Sequence, residues 1–471
     1  MEQKQQAQFS RMTGAPIPRL ITALAVPAVV SMLVTALYST ADTFFIARLG
    51  TSATGAVGIV FPVMSVIQAV GYTVGQGVAS VISMRLGEKR QEEANAAASG
   101  ALLLALLFGA LVAVCGLVWL DPLMELLGAT PTMLPYARDY ARYILLAAPA
   151  MTTAFVLNNT LRAEGRTRLA MLGITLGGVI NVCLDPLFIF VFGWGTAGDA
   201  IATAIGQAVS CAVLLWVYLR KKTIVRPSIK ALPRAPRLYG DILRMGAPAF
   251  LRQGLASAAT VALNLAARGY GDAAVAAISI VTKLFMFIFS VSLGIGQGYQ
   301  PVCGYNYGAK LYTRVRQGYR FTLLVGVGVM SALAAAAFIF APQLMMLFIK
   351  DDPALIEIGS FTLRAQCLAM PVVPVAVVLN MTFQSVGRAG EASFLSACRQ
   401  GICFLPLILI LPRVAGLWGV ETAQAFSDVL TFFIALPMTI LFFRKLPKRD
   451  APDGREVDER EIARNAAQGG L

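Results

Sequence analysis

Twelve stretches of this sequence run for about twenty residues or more with scarcely a charge: roughly 21 to 46, 54 to 83, 94 to 119, 133 to 156, 168 to 193, 200 to 219, 242 to 268, 273 to 303, 318 to 341, 356 to 383, 391 to 413 and 420 to 443. The hydrocarbon core of a bilayer, about 30 Å thick, takes a helix of about 20 apolar residues. Inside it every backbone N–H and C=O must be satisfied within the segment, which favours helices. The pattern predicts an all-α integral membrane protein with twelve transmembrane helices. Composition agrees: 57% of the 471 residues are hydrophobic and 14% charged, against about 45 to 50% and 25% in soluble domains. The first 19 residues are polar, and the first apolar run has no small-residue cleavage site, so it is read as a retained anchor.

Net charge is +14, but the basic residues are segregated. Arg85, Lys89 and Arg90 follow the second run; Arg162, Arg166 and Arg168 follow the fourth; eight bases against one acid lie between Arg220 and Arg244; Lys310, Arg314, Arg316 and Arg320 follow the eighth. The alternate loops carry Arg48, Asp121, Glu125, Asp199, Asp272, Asp351 and Asp352. By the positive-inside rule this places both termini in the cytoplasm of a multi-pass cell (inner) membrane protein. Basicity is therefore a topology signal, and no nucleic-acid partner is expected. Seven Cys without a CxxC argue against a disulfide framework or a zinc site. The complete lack of His removes HExxH and the His-containing triads, and no GxxxxGK[ST] loop is present. Neither an enzyme nor a cofactor is expected; an ion gradient remains as the source of energy.

The twelve segments divide into two copies. VGQGVASVISMRLGEK (74 to 89) recurs as IGQGYQPVCGYNYGAK (295 to 310), and Gly77 maps to Gly298 at an offset of 221. The same offset takes Pro27 to Pro248 and Gly50 to Gly271; one residue more takes LNNTLRAEGR (157 to 166) to LNMTFQSVGR (379 to 388). Six helices per copy is an even number, so the copies are parallel. The expected order is a cytoplasmic N-terminus (1–20), an N-lobe (21–219), a linker (220–241) rich in bases and Pro, a C-lobe (242–443) and a cytoplasmic tail (444–471). Two such lobes are the plan of an alternating-access carrier.

An Asp at the centre of a membrane helix costs roughly 2.5 to 3.5 kcal/mol on insertion scales, which makes an embedded carboxylate a functional candidate. Asn181 and Asp185 are four apart and share one helix face. Pro186 removes the donor that would have bonded the Val182 carbonyl. Asp42 lies about 32 Å beyond the cytoplasmic start of the first helix, and Asp185 about 25 Å into the fifth. Thr203, near the outer start of the sixth, falls in the same leaflet. Asp42, Asn181, Asp185 and Thr203 are thus expected to form a cation or proton chamber. Their oxygens suit a hard ion such as Na⁺, and a protonatable Asp suits H⁺, so residue type leaves both open. The second copy has Leu263, Cys403 and Leu407 where the first has Asp42, Asn181 and Asp185, which assigns ion coupling to the first lobe. Arg252, Lys283, Arg399 and Asp428 are embedded charges of the second lobe. Lys283 stands where the first copy has Pro62; its stem could reach a substrate in a central cavity, snorkel, or pair with an acid. Tyr38, one turn before Asp42, and Asn158, repeated as Asn380, are candidate substrate-lining residues. Glycine pairs such as Gly173 and Gly177 read as close helix contacts.

LAVPAVVSMLVTALYSTADTFFIARLG, GVINVCLDPLFIFVFGWGTAGDAIATAIGQ and above all QGYQPVCGYNYGAK give the chain a resemblance, over nearly its whole length, to the multidrug and toxic compound extrusion (MATE) family. The resemblance implies twelve helices in two lobes, a rocker-switch cycle, and export of amphipathic, often cationic, organic compounds in exchange for Na⁺ or H⁺. Family cation-site positions match Asp42, Asn181, Asp185 and Thr203. Ser39, Thr40 and Ala41 depart from the usual Asn-Ile-Val-like run, and Ala47 replaces a common Gly; neither change removes a ligand. The expected protein is a secondary active transporter, working as a monomer in the bilayer on small organic substrates. The alternative is a flippase or exporter of lipid-linked or other amphipathic precursors, for which the basic residues of the second lobe speak.

Overall fold

The computed structural model describes residues 2–220, 222–233, 235–348 and 352–451. Asp351 and the tail beyond residue 451 lie outside the described residues. Among those described there is no strand. The helices are α1 (Glu2–Gly14), α2 (Ile17–Ala47), α3 (Thr51–Gly87), α4 (Gln91–Val118), α5 (Leu120–Leu126), α6 (Leu134–Ala163), α7 (Thr167–Pro186), α8 (Gly195–Leu219), α9 (Pro236–Arg268), α10 (Asp272–Gly308), α11 (Tyr312–Ile339), α12 (Ala341–Met346), α13 (Pro353–Ala369), α14 (Val373–Ser385), α15 (Ala389–Ala397), α16 (Phe404–Ala415) and α17 (Leu417–Lys445). A 3₁₀ turn at Met370–Val372 joins α13 to α14, and π-helical turns follow α7 (Leu187–Val191) and α15 (Cys398–Cys403). Eleven of the resulting rods are long and apolar enough to cross a membrane. The expected seventh span is the 33-residue helix α9. It is long enough, but Arg252, Gln253 and Asn264 within its apolar stretch leave it too polar to join that count.

Several expected boundaries shift by five residues or more, α9 starting at Pro236 and not 242 and α11 at Tyr312 and not 318, and two of the shifts bear on the site. The fourth segment does not end near residue 156: α6 runs on to Ala163 and takes Arg162 inside it. The sixth does not begin at 200: α8 starts at Gly195 and takes Asp199 inside it. Hydropathy marks where apolar residues stop, whereas a helix continues while its backbone bonds and packing do. Arg162 and Asp199 are thus buried helix residues and not loop charges.

The repeat is visible in backbone geometry. Only two non-glycine residues among those described are left-handed, Lys89 (φ 62°) and Lys310 (φ 58°), and they are repeat equivalents. Each ends a long helix, where the next residue's N–H reaches back to a carbonyl five residues earlier: Arg90 to Arg85 at 2.8 Å and Leu311 to Asn306 at 2.8 Å. Left-handed glycines pair in the same way, Gly50 with Gly271, Gly165 with Gly387 and Gly195 with Gly416. These are the helix ends where a β-carbon is costly, so duplication preserved the turn chemistry while other residues diverged. Asn158 and Asn380 are equivalent in use as well, their side-chain amides donating to the Ala170 carbonyl (2.9 Å) and the Ala392 carbonyl (2.7 Å).

Packing divides the chain into two compact units, one of Met1–Ala25, Ser83–Arg90 and Ala258–Leu471, the other of Val26–Ile82 and Gln91–Ser257. In the first, α1 is held by Asn306, which donates to the Met12 carbonyl at 3.1 Å, and by Arg314, which donates to the Ala15 carbonyl at 2.6 Å. In the second, a core of Val60, Ile67, Tyr140, Ile144 and Leu145 binds α3 to α6.

The segment after α8 is stitched onto the second unit. Gln91 donates to the Ile224 carbonyl at 3.0 Å, and the Arg226 and Ser228 amides donate to Asn95 Oδ1 (2.8 Å) and Ser99 Oγ (2.9 Å). Glu164, between α6 and α7 and fully buried, accepts from the amides of Ile224 (2.9 Å) and Val225 (3.1 Å). Burial pushes its carboxyl from the ordinary 4.5 up to about 8, against the opposing pull of the Ile224 amide, Arg166 and the Val225 amide. A folded-state pKa raised above the unfolded one gives stability that is complete below the unfolded value and lost as pH rises through the folded value. Exchange protection of the Ile224 and Val225 amides is therefore expected to fall between about pH 4.5 and about 8, beyond the intrinsic pH dependence of exchange. Glu164→Gln should flatten that profile; an unchanged profile in the variant would remove Glu164 as the cause.

Candidate functional site

The site begins with two glycines. A β-carbon on Gly177 of α7 would lie 2.6 Å from the Gly206 carbonyl oxygen of α8, and one on Gly206 would lie 2.7 Å from the Gly177 carbonyl oxygen. With neither present the two backbones touch. One turn along each helix from that contact, the Asn181 amide group spans the gap. Its Nδ2 donates to Asp185 Oδ1 at 3.1 Å on its own helix and to Thr203 Oγ at 3.1 Å on α8. Three of the four residues expected to meet are thereby joined by hydrogen bonds.

Asp42, from α2, completes the set, and Asp199 is added to it. Carboxylate oxygens of Asp42, Asp185 and Asp199 all lie within 4.8 Å of one another. Asp185 and Asp199 have no exposed surface, and Asp42 is partly buried. Five buried oxygens here have no hydrogen-bond donor: Asp42 Oδ1, Asn181 Oδ1, Asp185 Oδ2 and both of Asp199. No Lys or Arg pairs with any of the three acids among the described residues. Buried acceptors are normally satisfied, so these oxygens can accept from a proton or a cation that reaches them. Such an all-oxygen set fits a hard cation, and carboxyl groups in it also fit protons. Asp199 was hidden from sequence reading by its assignment to an outer loop. The usable signal was its spacing, four residues before Thr203, which puts both on one face once the helix is allowed to start earlier.

A cavity of about 50 Å³ lies next to this cluster. Tyr38, Gly177 and Gln207 line it, each one helical turn from Asp42, Asn181 and Thr203 respectively. Asn158 lines it too, with its amide held by the Ala170 carbonyl, and so do Tyr72, Phe155 and Arg162. Arg162, read from sequence as a loop base, was missed. Lys283 is exposed on α10 and is not among the residues that line this cavity. Arg399 and Asp428 pair with each other, Nε to Oδ1 at 2.6 Å and a second nitrogen to Oδ2 at 3.3 Å.

A bundle of bilayer-length helices in duplicate, with bare carboxylates in one copy only, defines a membrane transporter. The MatE family model matches residues 27–187 and again 248–410, and the chain belongs to this family of multidrug and toxic compound extrusion transporters. Among its relatives are the multidrug export protein MepA of Staphylococcus haemolyticus, 25% identical over 87% of this chain and 90% of that one, and the FAD transporter of Shewanella oneidensis, 27% identical over 89% and 93%. Among solved structures, an outward-facing MATE family multidrug resistance transporter of the MOP superfamily superposes with a TM-score of 0.89 at 26% identity, covering 93% of this chain and 98% of that one. A MOP superfamily transporter from Pyrococcus furiosus gives a TM-score of 0.88, also at 26% identity over the same shares.

Proposed function

We propose that this protein is a cation-coupled antiporter that exports small amphipathic organic compounds by rocker-switch alternating access, with Na⁺ or H⁺ as the incoming ion. The observation that carries the reading is the cluster of Asp42, Asp185 and Asp199 with Asn181 and Thr203, five of whose oxygens lack a donor. Three carboxylates this close and out of water stay anionic together only when positive charge joins them. Entry of the ion from outside and departure of substrate then drive each other through the same lobe. Relatives named for multidrug export and for FAD support small organic compounds as the cargo class. The protein acts as a monomer in the cell membrane with both termini cytoplasmic, the basic loops facing inward. The flippase reading leaned on basic residues of the second lobe, and there Arg399 is already committed to Asp428.

The test is dye efflux from proteoliposomes under a sodium gradient and a pH gradient imposed separately. Export is expected to follow one of them and to stop when it is collapsed. Equal export with both absent would defeat the coupling.

A further inference from the structure

Arg162 is 7% exposed and sits in the last turn of α6, on the wall of the cavity beside the carboxylate cluster. Among the described residues its one hydrogen bond is a long one, 3.4 Å to Asn158 Oδ1, and no carboxylate pairs with it. The nearest acid in sequence, Glu164, is occupied by the Ile224 and Val225 amides and lies 3.6 Å from Arg166 instead. A guanidinium has five donors and cannot shed its charge, so burying it without an anion is costly.

The second copy shows what the fold itself requires at this place. Gln384 is the equivalent of Arg162; its side chain donates to Asn380 Oδ1 at 2.6 Å, and Asn380 in turn donates to the Ala392 carbonyl. Asn158 and the Ala170 carbonyl repeat that arrangement, with Arg162 in place of the glutamine. A neutral side chain therefore meets the structural need, with the shorter bond, and the positive charge of Arg162 is surplus to it. Attraction to the carbonyl end of α6 applies to this residue too, but gives no reason for the guanidinium to border a cavity.

We propose that Arg162 anchors an anionic group, a carboxylate or a phosphate, on the compound this lobe carries. The claim rests on the transport reading above and adds to its cargo aromatic amphipaths with at least one negative charge. The anionic group would enter the cavity that Arg162 borders. Tyr72 and Phe155, whose ring centroids are 4.6 Å apart, border the same space and offer faces for an attached ring. Guanidinium recognises carboxylate and phosphate through paired charge-assisted hydrogen bonds.

The experiment uses the full chain and two dyes, carboxyfluorescein (anionic) and ethidium (cationic). Binding to detergent-solubilised protein is measured by equilibrium dialysis, and export is measured from proteoliposomes. Arg162→Gln, the residue the second copy tolerates, is expected to weaken carboxyfluorescein binding roughly tenfold or more and to lower the export ratio of carboxyfluorescein to ethidium to match. Arg162→Lys, which keeps the charge, should recover part of the binding. Carboxyfluorescein binding that is absent in the native protein, or equally tight in Arg162→Gln, overturns the proposal. If the native protein binds carboxyfluorescein through Arg162 yet exports neither dye under any gradient, the transport reading fails and the anion site stands.

Discussion

Asp185→Asn should bring gradient-driven dye efflux from proteoliposomes down to the passive leak while leaving the protein folded. The variant keeps the shape of the side chain and a partner for Asn181, but removes one of three carboxyl groups whose oxygens lie within 4.8 Å of each other. At 100 mV one inward charge is worth about 2.3 kcal/mol, or roughly a fiftyfold substrate gradient, and that contribution vanishes if the ion no longer binds. Asp199→Asn should have the same effect, because both oxygens of Asp199 are buried without donors in the same cluster. Stability runs the other way. Removing one of several crowded, uncompensated carboxylates relieves repulsion, so the melting temperature in detergent should hold or rise. Undiminished efflux in Asp185→Asn would end the coupling mechanism; undiminished efflux in Asp199→Asn alone would make that residue a bystander.

Arg399→Ala should behave in the opposite sense, with a large loss of stability. Arg399 and Asp428 are tied by two hydrogen bonds, with side-chain exposures of 13% and 2%. Gln424 adds a third bond to the carboxylate at 3.1 Å, and the guanidinium lies over Phe289 at 4.3 Å and Phe285 at 5.3 Å. Deleting the arginine strands the acid in a buried setting, for which about 3 to 5 kcal/mol is the usual cost. Replacing both residues, as in Arg399→Met with Asp428→Leu, should recover most of that, since apolar pairs of similar volume often substitute for buried ion pairs. Thermal unfolding of the two variants side by side is the measurement. A double variant no more stable than the single one would show that the pair does more than neutralise itself.

Most of the architecture could be read in advance because a bilayer imposes a length rule and a duplication supplies an internal comparison. Gly50, Lys89 and Gly165 recurred in sequence because the turns they close are left-handed in both copies. Asp42, Asn181, Asp185 and Thr203 were legible for another reason: carboxylates in lipid are expensive, and helix periodicity fixes which of them share a face. What escaped was polar residues near helix ends. Asp199 and Arg162 sit just beyond the apolar runs, where hydropathy says loop, and yet α8 and α6 continue through them into buried surroundings. Nor could sequence say that Arg399 and Asp428, 29 positions apart, would find each other, because pairing across helices depends on rotation about both axes.

Gly177 and Gln207, on the wall of the hollow in one copy, correspond by repeat register to Arg399 and Asp428 in the other. What is open space beside bare oxygens in the first copy is a closed electrostatic latch in the second. The ancestral half, once doubled, thus kept open space at this place in one copy and filled it with an ion pair in the other.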